Sequence, residues 1–314
     1  MRISEIYKKL ALTSPYVEVM LRSLYWHNVN RLKKYSPNEH KLTDYKVPSF
    51  DFVKITEWLR DQGVKKGSLM VVHSSYDAIS GSGLRPNEIV RELRELIGGD
   101  GTLAMPVIRN YKEMPDPSEW LKTDFSKIVC HYDPKRTPVT TGMIPSMLMR
   151  EKDAFISLHP LNTLAAVGPL AEPMMEHNLE GDRPSPHGPN SSWKFCADND
   201  AIIVSLGVNM VHHLTMVHVN DECNENWPYK DWYDDLQFEI VMPDKSLIRK
   251  TVRNRKPQWG LLYDAEINMG EDLKKAGIMK TKEIDGVPVG VVKSSELMLF
   301  LENHKHKGYP YYKL

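Results

Sequence analysis

The 314-residue sequence predicts the α/β class: a layered α/β/α sandwich around a mixed central sheet, with an additional β-rich C-terminal part. Short apolar runs, "SLMVV", "TLAM" and "AIIVSL", stand between helical segments, the pattern of a sheet covered by helices. Gly-rich turns such as "GGDG" separate helix from strand. After Asp231 the texture changes to period-two alternation in "LQFEIVMPDKSLIRKTV", a hairpin turning at Pro243 to Lys245.

In chain order, Val17, Met20, Leu21 and Leu24 form one helical pattern, followed by a polar run rich in Lys, Asn and Tyr. Residues 1–50 are expected to be an appended extension that packs on the main domain or a second subunit, or that acts as a lid. Residues 51–314 are expected to be one domain, its C-terminal hairpin and helix beginning near 236. A helix runs from Asp51 to Asp61 and closes at Gly63; "SLMVV" then forms a strand up to His73. From Pro86 to Ile97, Ile89, Val90, Leu93, Leu96 and Ile97 share one helix face. Strands follow at Thr102 to Met105 and Ala201 to Leu206, and "GVPVGVVKSSELMLFLENH" reads as a strand and a last helix.

Forty-one basic and forty-one acidic residues cancel, so charge makes no case for nucleic acid or an anionic membrane, and a small molecule is the expected partner. No apolar run approaches the roughly 18 to 20 residues that span a bilayer, and the N-terminus lacks the apolar core of a signal peptide, so a cytoplasmic location is expected. Cys130, Cys196 and Cys223 are widely spaced without a CxxC, which argues for reduced thiols rather than disulfides or structural zinc.

Ligands of such sheets lie beyond the carboxyl ends of the strands. There the sequence places "HSS" at His73 to Ser75, the segment Pro106 to Asn110, and "GVNMVHHLTMVH". "HSSYDAISGSGLRPNEIV" leads a glycine-bearing loop into a helix N-terminus, which suits a phosphate or an amide-rich linker, or is only a capped turn. It lacks the third glycine of a dinucleotide fingerprint. His159 in "HPLNT" is either a structural or a functional loop histidine, and "EGDRPSP" is a stiff loop.

Thr215, His218 and Asp221 recur at intervals of three. On a helix they share a face, so the carboxylate could orient the imidazole and stabilise its charged form, leaving His218 as a base. The alternative is a polar patch on an ordinary helix. Two rivals use the same stretch: a metal site of His212, His213, His218 and Asp221, whose spacing is poor for a zinc helix, and a Cys223 nucleophile, turned away from His218 by its five-residue offset.

Taken together and in order, these motifs resemble the aminoglycoside N3-acetyltransferase (antibiotic acetyltransferase) family. "LMVVHSSYDAI" resembles the family's His-Ser-Ser strand and loop, "IGGDGTLAMP" its Gly-Thr-Leu-x-Met-Pro strand, and "YDPKRTPVTTGMIP" its Asp-Pro segment. "SLHPLNTLAAVGPLAE", "GDRPSP" and "TMVHVND" follow, the last matching Thr-x-x-His-x-x-Glu, so the resemblance covers about 50 to 240. It implies direct transfer of an acyl group, acetyl or another, from an acyl-CoA to an amine, without a metal. It further implies His218 as base, Asp221 as its orienting acid and Thr215 as a nearby hydroxyl. His73, Ser74, Ser75 and Arg85 would face CoA, and His159, Glu222 and Asp133 the acceptor.

The departures are Asp221 for the usual Glu, with Glu222 as a possible substitute; Leu84 and Arg85 where glycines are common; and Asn162 and Thr163 beside His159. The expected function is N-acylation of an amino sugar, with aminoglycoside 3-N-acetylation as the close alternative. A metal-dependent hydrolase and a non-catalytic binding protein are the alternatives of other classes. The partners are the amine and acyl-CoA, with no nucleic acid and no membrane insertion; a homodimer is left open.

Overall fold

A computed structural model describes residues 3–33 and 49–304. Its helices are α1 (Ile3–Ala11), α2 (Pro15–Lys33), α3 (Val53–Asp61), α4 (Tyr76–Ile79), α5 (Pro86–Ile97), α6 (Met143–Leu148), α7 (Ala171–Met175), α8 (Ser192–Asp198), α9 (His218–Glu222), α10 (Tyr263–Lys275) and α11 (Ser294–His304). Its strands are β1 (Leu69–Ser74), β2 (Thr102–Pro106), β3 (Val129–Tyr132), β4 (Phe155–Ile156), β5 (Leu164–Val167), β6 (Ile202–Leu206), β7 (Tyr233–Val241), β8 (Leu247–Arg255), β9 (Lys280–Ile284) and β10 (Val287–Lys293).

A seven-stranded sheet runs β4-β5-β2-β1-β6-β10-β9. Its centre, β2-β1-β6, is parallel, and antiparallel strands flank it on both sides, so the sheet is mixed. Register aligns Val71 with Ala104 and Ile203, and these residues pack beneath α7, α8 and α11. Their neighbours Met70, Leu103 and Ile202 point the other way, against α3, α5 and α6. Both faces of the central strands are therefore buried, which is why they read as unbroken apolar runs.

The five apolar residues of α5 are all buried, at roughly 1.5–3 kcal/mol per large side chain. Pro86 at its first turn and Glu88, whose carboxylate accepts the Arg85 backbone N–H at 2.8 Å, start the helix.

The β-rich part differs from the sequence expectation. Strands β7 and β8 form the hairpin, but β3 joins it from more than a hundred positions earlier, pairing parallel to β7 with Val129 opposite Gln237. The three-stranded sheet has its own core around Tyr111, Phe125, Tyr132, Phe238 and Val252. The chain then returns to the main sheet through β10 and β9. A hairpin alone is marginal in water, and the third strand with its aromatic core supplies the missing burial.

The expected N-terminal pattern of Val17, Met20, Leu21 and Leu24 lies on α2, a further helix α1 precedes it, and the part of the polar run at 34–48 lies outside the described residues. Glu18 of α2 is buried, and its carboxylate accepts the backbone N–H groups of Asp264 and Ala265 at 2.6 and 3.2 Å. An acid from another helix thus caps the start of α10. Arg22 completes the contact by pairing with Glu18 and Asp264.

Candidate active site

Two cavities lie against the end of β2 and the chain that follows it, one touching Pro106 and the other Ile108 to Tyr111. The first, of about 530 Å³, is lined by His73 to Asp77, Pro106, Thr140 to Pro145 and His213. His73 Nε2 and Ser74 Oγ are buried there with no protein partner among the described residues. His73 is held neutral, its pKa lowered to about 3 by burial and by His213. The second cavity, of about 330 Å³, is lined by Arg109, Tyr111, Trp120, His187, His218, Glu222, Arg255 and Lys256 among others. A row of rings joins the two: His73 stacks on Trp193 at 5.9 Å, Trp193 stands 5.7 Å from His187, and His187 stands 5.2 Å from His218.

His218 and Glu222 open and close α9. The stretch is helical as expected but not one helix, because Thr215–Val217 form a 3-10 turn before His218 starts the α-turn. Tightening that turn rotates Thr215 away, and it lines neither cavity. Asp221 Oδ2 lies 3.6 Å from His218 Nδ1, beyond hydrogen-bonding range, while Arg255 donates to the same nitrogen at 3.1 Å. An arginine can only donate, so Nδ1 carries the lone pair and the ring proton sits on Nε2. Burial and the Arg255 charge hold His218 well below the usual histidine range.

The carboxylate–histidine pair that the sequence sought at Asp221 and His218 is found at Glu222 and His187. Glu222 Oε1 accepts from His187 Nδ1 at 2.8 Å and Oε2 from the His187 backbone N–H at 2.7 Å. Burial opposes ionisation of Glu222, but its electrostatic contact with the His187 ring and the two hydrogen bonds from His187 outweigh it and hold the carboxyl below its ordinary range. Nδ1 being the donor, the lone pair of His187 is on Nε2, which is buried and meets no protein donor or acceptor among the described residues. An oriented imidazole with a free Nε2, beside a second imidazole that presents an N–H, can take a proton and donate one in the same cavity.

The local sequence explains the placement of His187. "SPHGPNSS" holds it in a tight loop where a Cβ at Gly188 would collide with Ser185 Oγ, and Ser191 then caps α8 by accepting the Lys194 N–H at 3.0 Å. The backbone of β8 grips the preceding loop through Arg253 N–H to Pro184 O at 3.0 Å. Arg253 and Arg255, two apart on β8, share a face; Arg253 reaches the Glu222 carbonyl at 3.2 Å and Arg255 reaches His218.

Residues 71–304 match the family model described as aminoglycoside 3-N-acetyltransferase. The chain belongs to this family. Aminoglycoside N(3)-acetyltransferase VIII of Streptomyces fradiae is 26% identical over 251 residues, 76% of this chain and 85% of that one. Aminoglycoside N(3)-acetyltransferase IX of Micromonospora chalcea is 28% identical over 175 residues, 51% of this chain and 59% of that one. In structure the chain is similar to AAC-IIIb in its binary complex with CoASH, with TM-score 0.62, 16% identity and coverage of 82% and 97%. AAC(3)-IIb gives TM-score 0.64 at 19% identity, covering 84% and 100%.

The chain is thus an acyl-CoA-dependent N-acyltransferase, acting on amino groups. The residues of the first cavity fit CoA: His73 and Ser74 offer buried polar atoms without partners, and Ser75 lies beside them, suited to the amides of a pantetheine arm. CoA would supply the acyl group as a thioester.

Other residues expected in the N-acetyltransferase site lie elsewhere. Arg85 ion-pairs with Glu88 at 2.7 Å on the exposed start of α5 and does not line the Ser74 cavity. His159 is turned inward: its Nδ1 accepts the Leu161 N–H and its Nε2 donates to Pro184 O, each at 3.2 Å, and burial lowers its pKa to about 4. Asp133 caps its own turn by accepting the N–H groups of Lys135 and Arg136. Cys223 donates to the His187 carbonyl at 3.4 Å, and burial pushes its thiol up to about 12, far from a nucleophile's range. Of the four residues weighed as a metal set, His212 stacks on Tyr263, His213 bonds to Asn209 O, and His218 takes a hydrogen bond from Arg255 with Asp221 3.6 Å away. Sequence reading missed His187 and Arg255, and a histidine inside a proline-bounded loop was the one local signal for the first.

Proposed function

We propose that the protein transfers an acyl group from an acyl-CoA to the amino group of an amino sugar, by direct attack of the amine on the thioester. His187 is the base, and Glu222 fixes its tautomer and stabilises the imidazolium that forms. His218 donates from Nε2 to the acceptor or to the oxygen on which charge develops. The observation that carries this is the buried Nε2 of His187, freed by the Glu222 contact, in the cavity shared with His218. Asp221 and Thr215, the partners expected from spacing, support α9 and its preceding turn. His73, Ser74 and Ser75 hold the CoA arm.

Residues 51–314 act as one acyltransferase domain, with the first two helices braced on α10. Among the described residues no helix is long and apolar enough to cross a membrane, and the cytoplasm, where acyl-CoA is available, is the proposed location.

The test is a screen of amino sugars, sugar nucleotides and aminoglycosides with several acyl-CoAs, read as thiol release and product mass. Product carrying one added acyl group on nitrogen is expected; thioester consumption independent of every amine would refute the reading. Loss of activity in excess chelator, restored by zinc, would favour the metal hydrolase instead. A second reading, an aminoglycoside as acceptor, draws on the names of the relatives.

A further inference from the structure

Resting on that reading, we propose that the natural acceptor carries an anionic group, a carboxylate or a phosphate, beside the amine that is acylated. The acceptor cavity is walled by three cations, Arg109, Arg255 and Lys256, against one carboxylate, Glu222, which His187 already engages. Lys256 is compensated by Asp231 at 2.5 Å and Asp234 at 3.5 Å. Arg255 donates to a neutral imidazole and lies in the field of Glu266.

Arg109 has no such acidic partner among the described residues. It is 6% exposed, its two terminal nitrogens donate to the carbonyls of Thr137 and Pro134 at 2.9 Å each, and its Nε meets no acceptor among the described residues. Two carbonyl dipoles and the Tyr132 ring, 5.6 Å from the guanidinium, soften the cost of this buried charge without neutralising it. A ligand anion in the cavity would supply the counter-charge.

A polycation would meet the opposite conditions. The adjoining cavity beyond Trp120 and Phe125 does hold Asp124, Asp234 and Asp235, but Lys127, Lys256 and Arg183 respectively pair with them. The acceptor class that matches the wall is an acidic amino sugar: an amino-uronate, an amino sugar phosphate, or one linked to a nucleoside diphosphate.

The experiment uses the native enzyme with acetyl-CoA and amino sugars differing in the position of the amine, each offered as neutral sugar, as 1-phosphate and as uronate, beside an aminoglycoside. The expected result is kcat/KM about 10- to 100-fold higher for the anionic forms, the size of a charge-assisted contact, with a preference that shrinks as salt is added. The phosphate and uronate arms show which anion is taken. Equal or better turnover of neutral sugars or of the aminoglycoside overturns the inference while leaving the acyltransferase reading intact; acylation of no amine at all overturns both.

Arg109→Met should erase most of the anionic preference through KM of the acceptor, with KM for acetyl-CoA unchanged. A rise in the acetyl-CoA KM instead would assign the charge to CoA phosphates and refute the proposal. If Arg109→Met does not fold, the salt dependence and substrate ratios of the native enzyme still decide.

Discussion

Replacing Glu222 by Gln tests the assignment of the base most directly. The carboxylate accepts two hydrogen bonds, from the His187 backbone N–H at 2.7 Å and from Nδ1 at 2.8 Å. An amide of nearly the same shape has one oxygen and one NH2. The oxygen can satisfy the backbone N–H, and the NH2 then faces Nδ1, which must become the acceptor. The ring proton moves to Nε2, so the lone pair that should take the proton from the amine is gone. The loss of one charge-assisted bond is worth about 1.5–3 kcal/mol, and the change of tautomer adds the whole general-base contribution, roughly 10²- to 10⁴-fold in rate. We therefore expect kcat to fall by about 10³, with KM for acyl-CoA close to native because Glu222 does not line the cavity proposed for CoA. The assay is steady-state thiol release with a saturating acceptor across pH, with circular dichroism to confirm the fold. Partial recovery at high pH is expected, as deprotonated amine accumulates and the missing base matters less. His187→Ala should match Glu222→Gln, and Asp221→Asn should cost less. The assignment fails if Asp221→Asn is the more damaging variant, or if Glu222→Gln stays within about threefold of native.

Stability should fall in mild acid. His73 and His159 have folded pKa values of about 3 and about 4, below the ordinary 6.5. The unfolded chain therefore binds more protons as pH drops through 6.5, and stability present above that value is lost toward the folded values, about 2 kcal/mol per histidine at pH 5. A melting temperature lower by roughly 10 °C at pH 5 than at pH 7.5 is expected, and a flat profile over that window would contradict the burial of these rings. CoA at a hundredfold excess over Kd should stabilise the fold by about 2.7 kcal/mol in thermal shift. Ser74→Ala should reduce that shift and Arg85→Glu should not; the reverse pattern would move the CoA arm to the α5 N-terminus. Leu93→Ala in α5 should cost about 2–5 kcal/mol in denaturant titration with kcat unchanged in the folded fraction, and a loss under 1 kcal/mol would argue that α5 is not packed as described. Glu18→Ala removes the acid that caps α10 and should cost about 1–2 kcal/mol, read as faster proteolysis within the first two helices.

The sequence by itself determined the layers. The apolar runs of β1, β2 and β6 and the five-residue face of α5 were legible because burial on two faces, or on one, writes itself into neighbouring residues at period two or 3.6. It also determined the neighbourhood of the chemistry: His218 and Glu222 are both in "TMVHVND" and the two residues after it, and His73 and Ser74 follow β1. Spacing could not say which carboxylate meets which imidazole. His187 and Glu222 are 35 positions apart and Arg255 reaches His218 across 37, while β3 pairs with β7 over a still longer interval. An interval of three along a helix measures only what one element can do alone. Within α9 Asp221 stays 3.6 Å from His218 while Glu222, one residue on, faces His187, and the loop at Gly188 sets where that imidazole stands. The tertiary structure decided which carboxylate meets His187, which nitrogen Arg255 reaches and which charges line the second cavity, because all three arise where separate elements pack together.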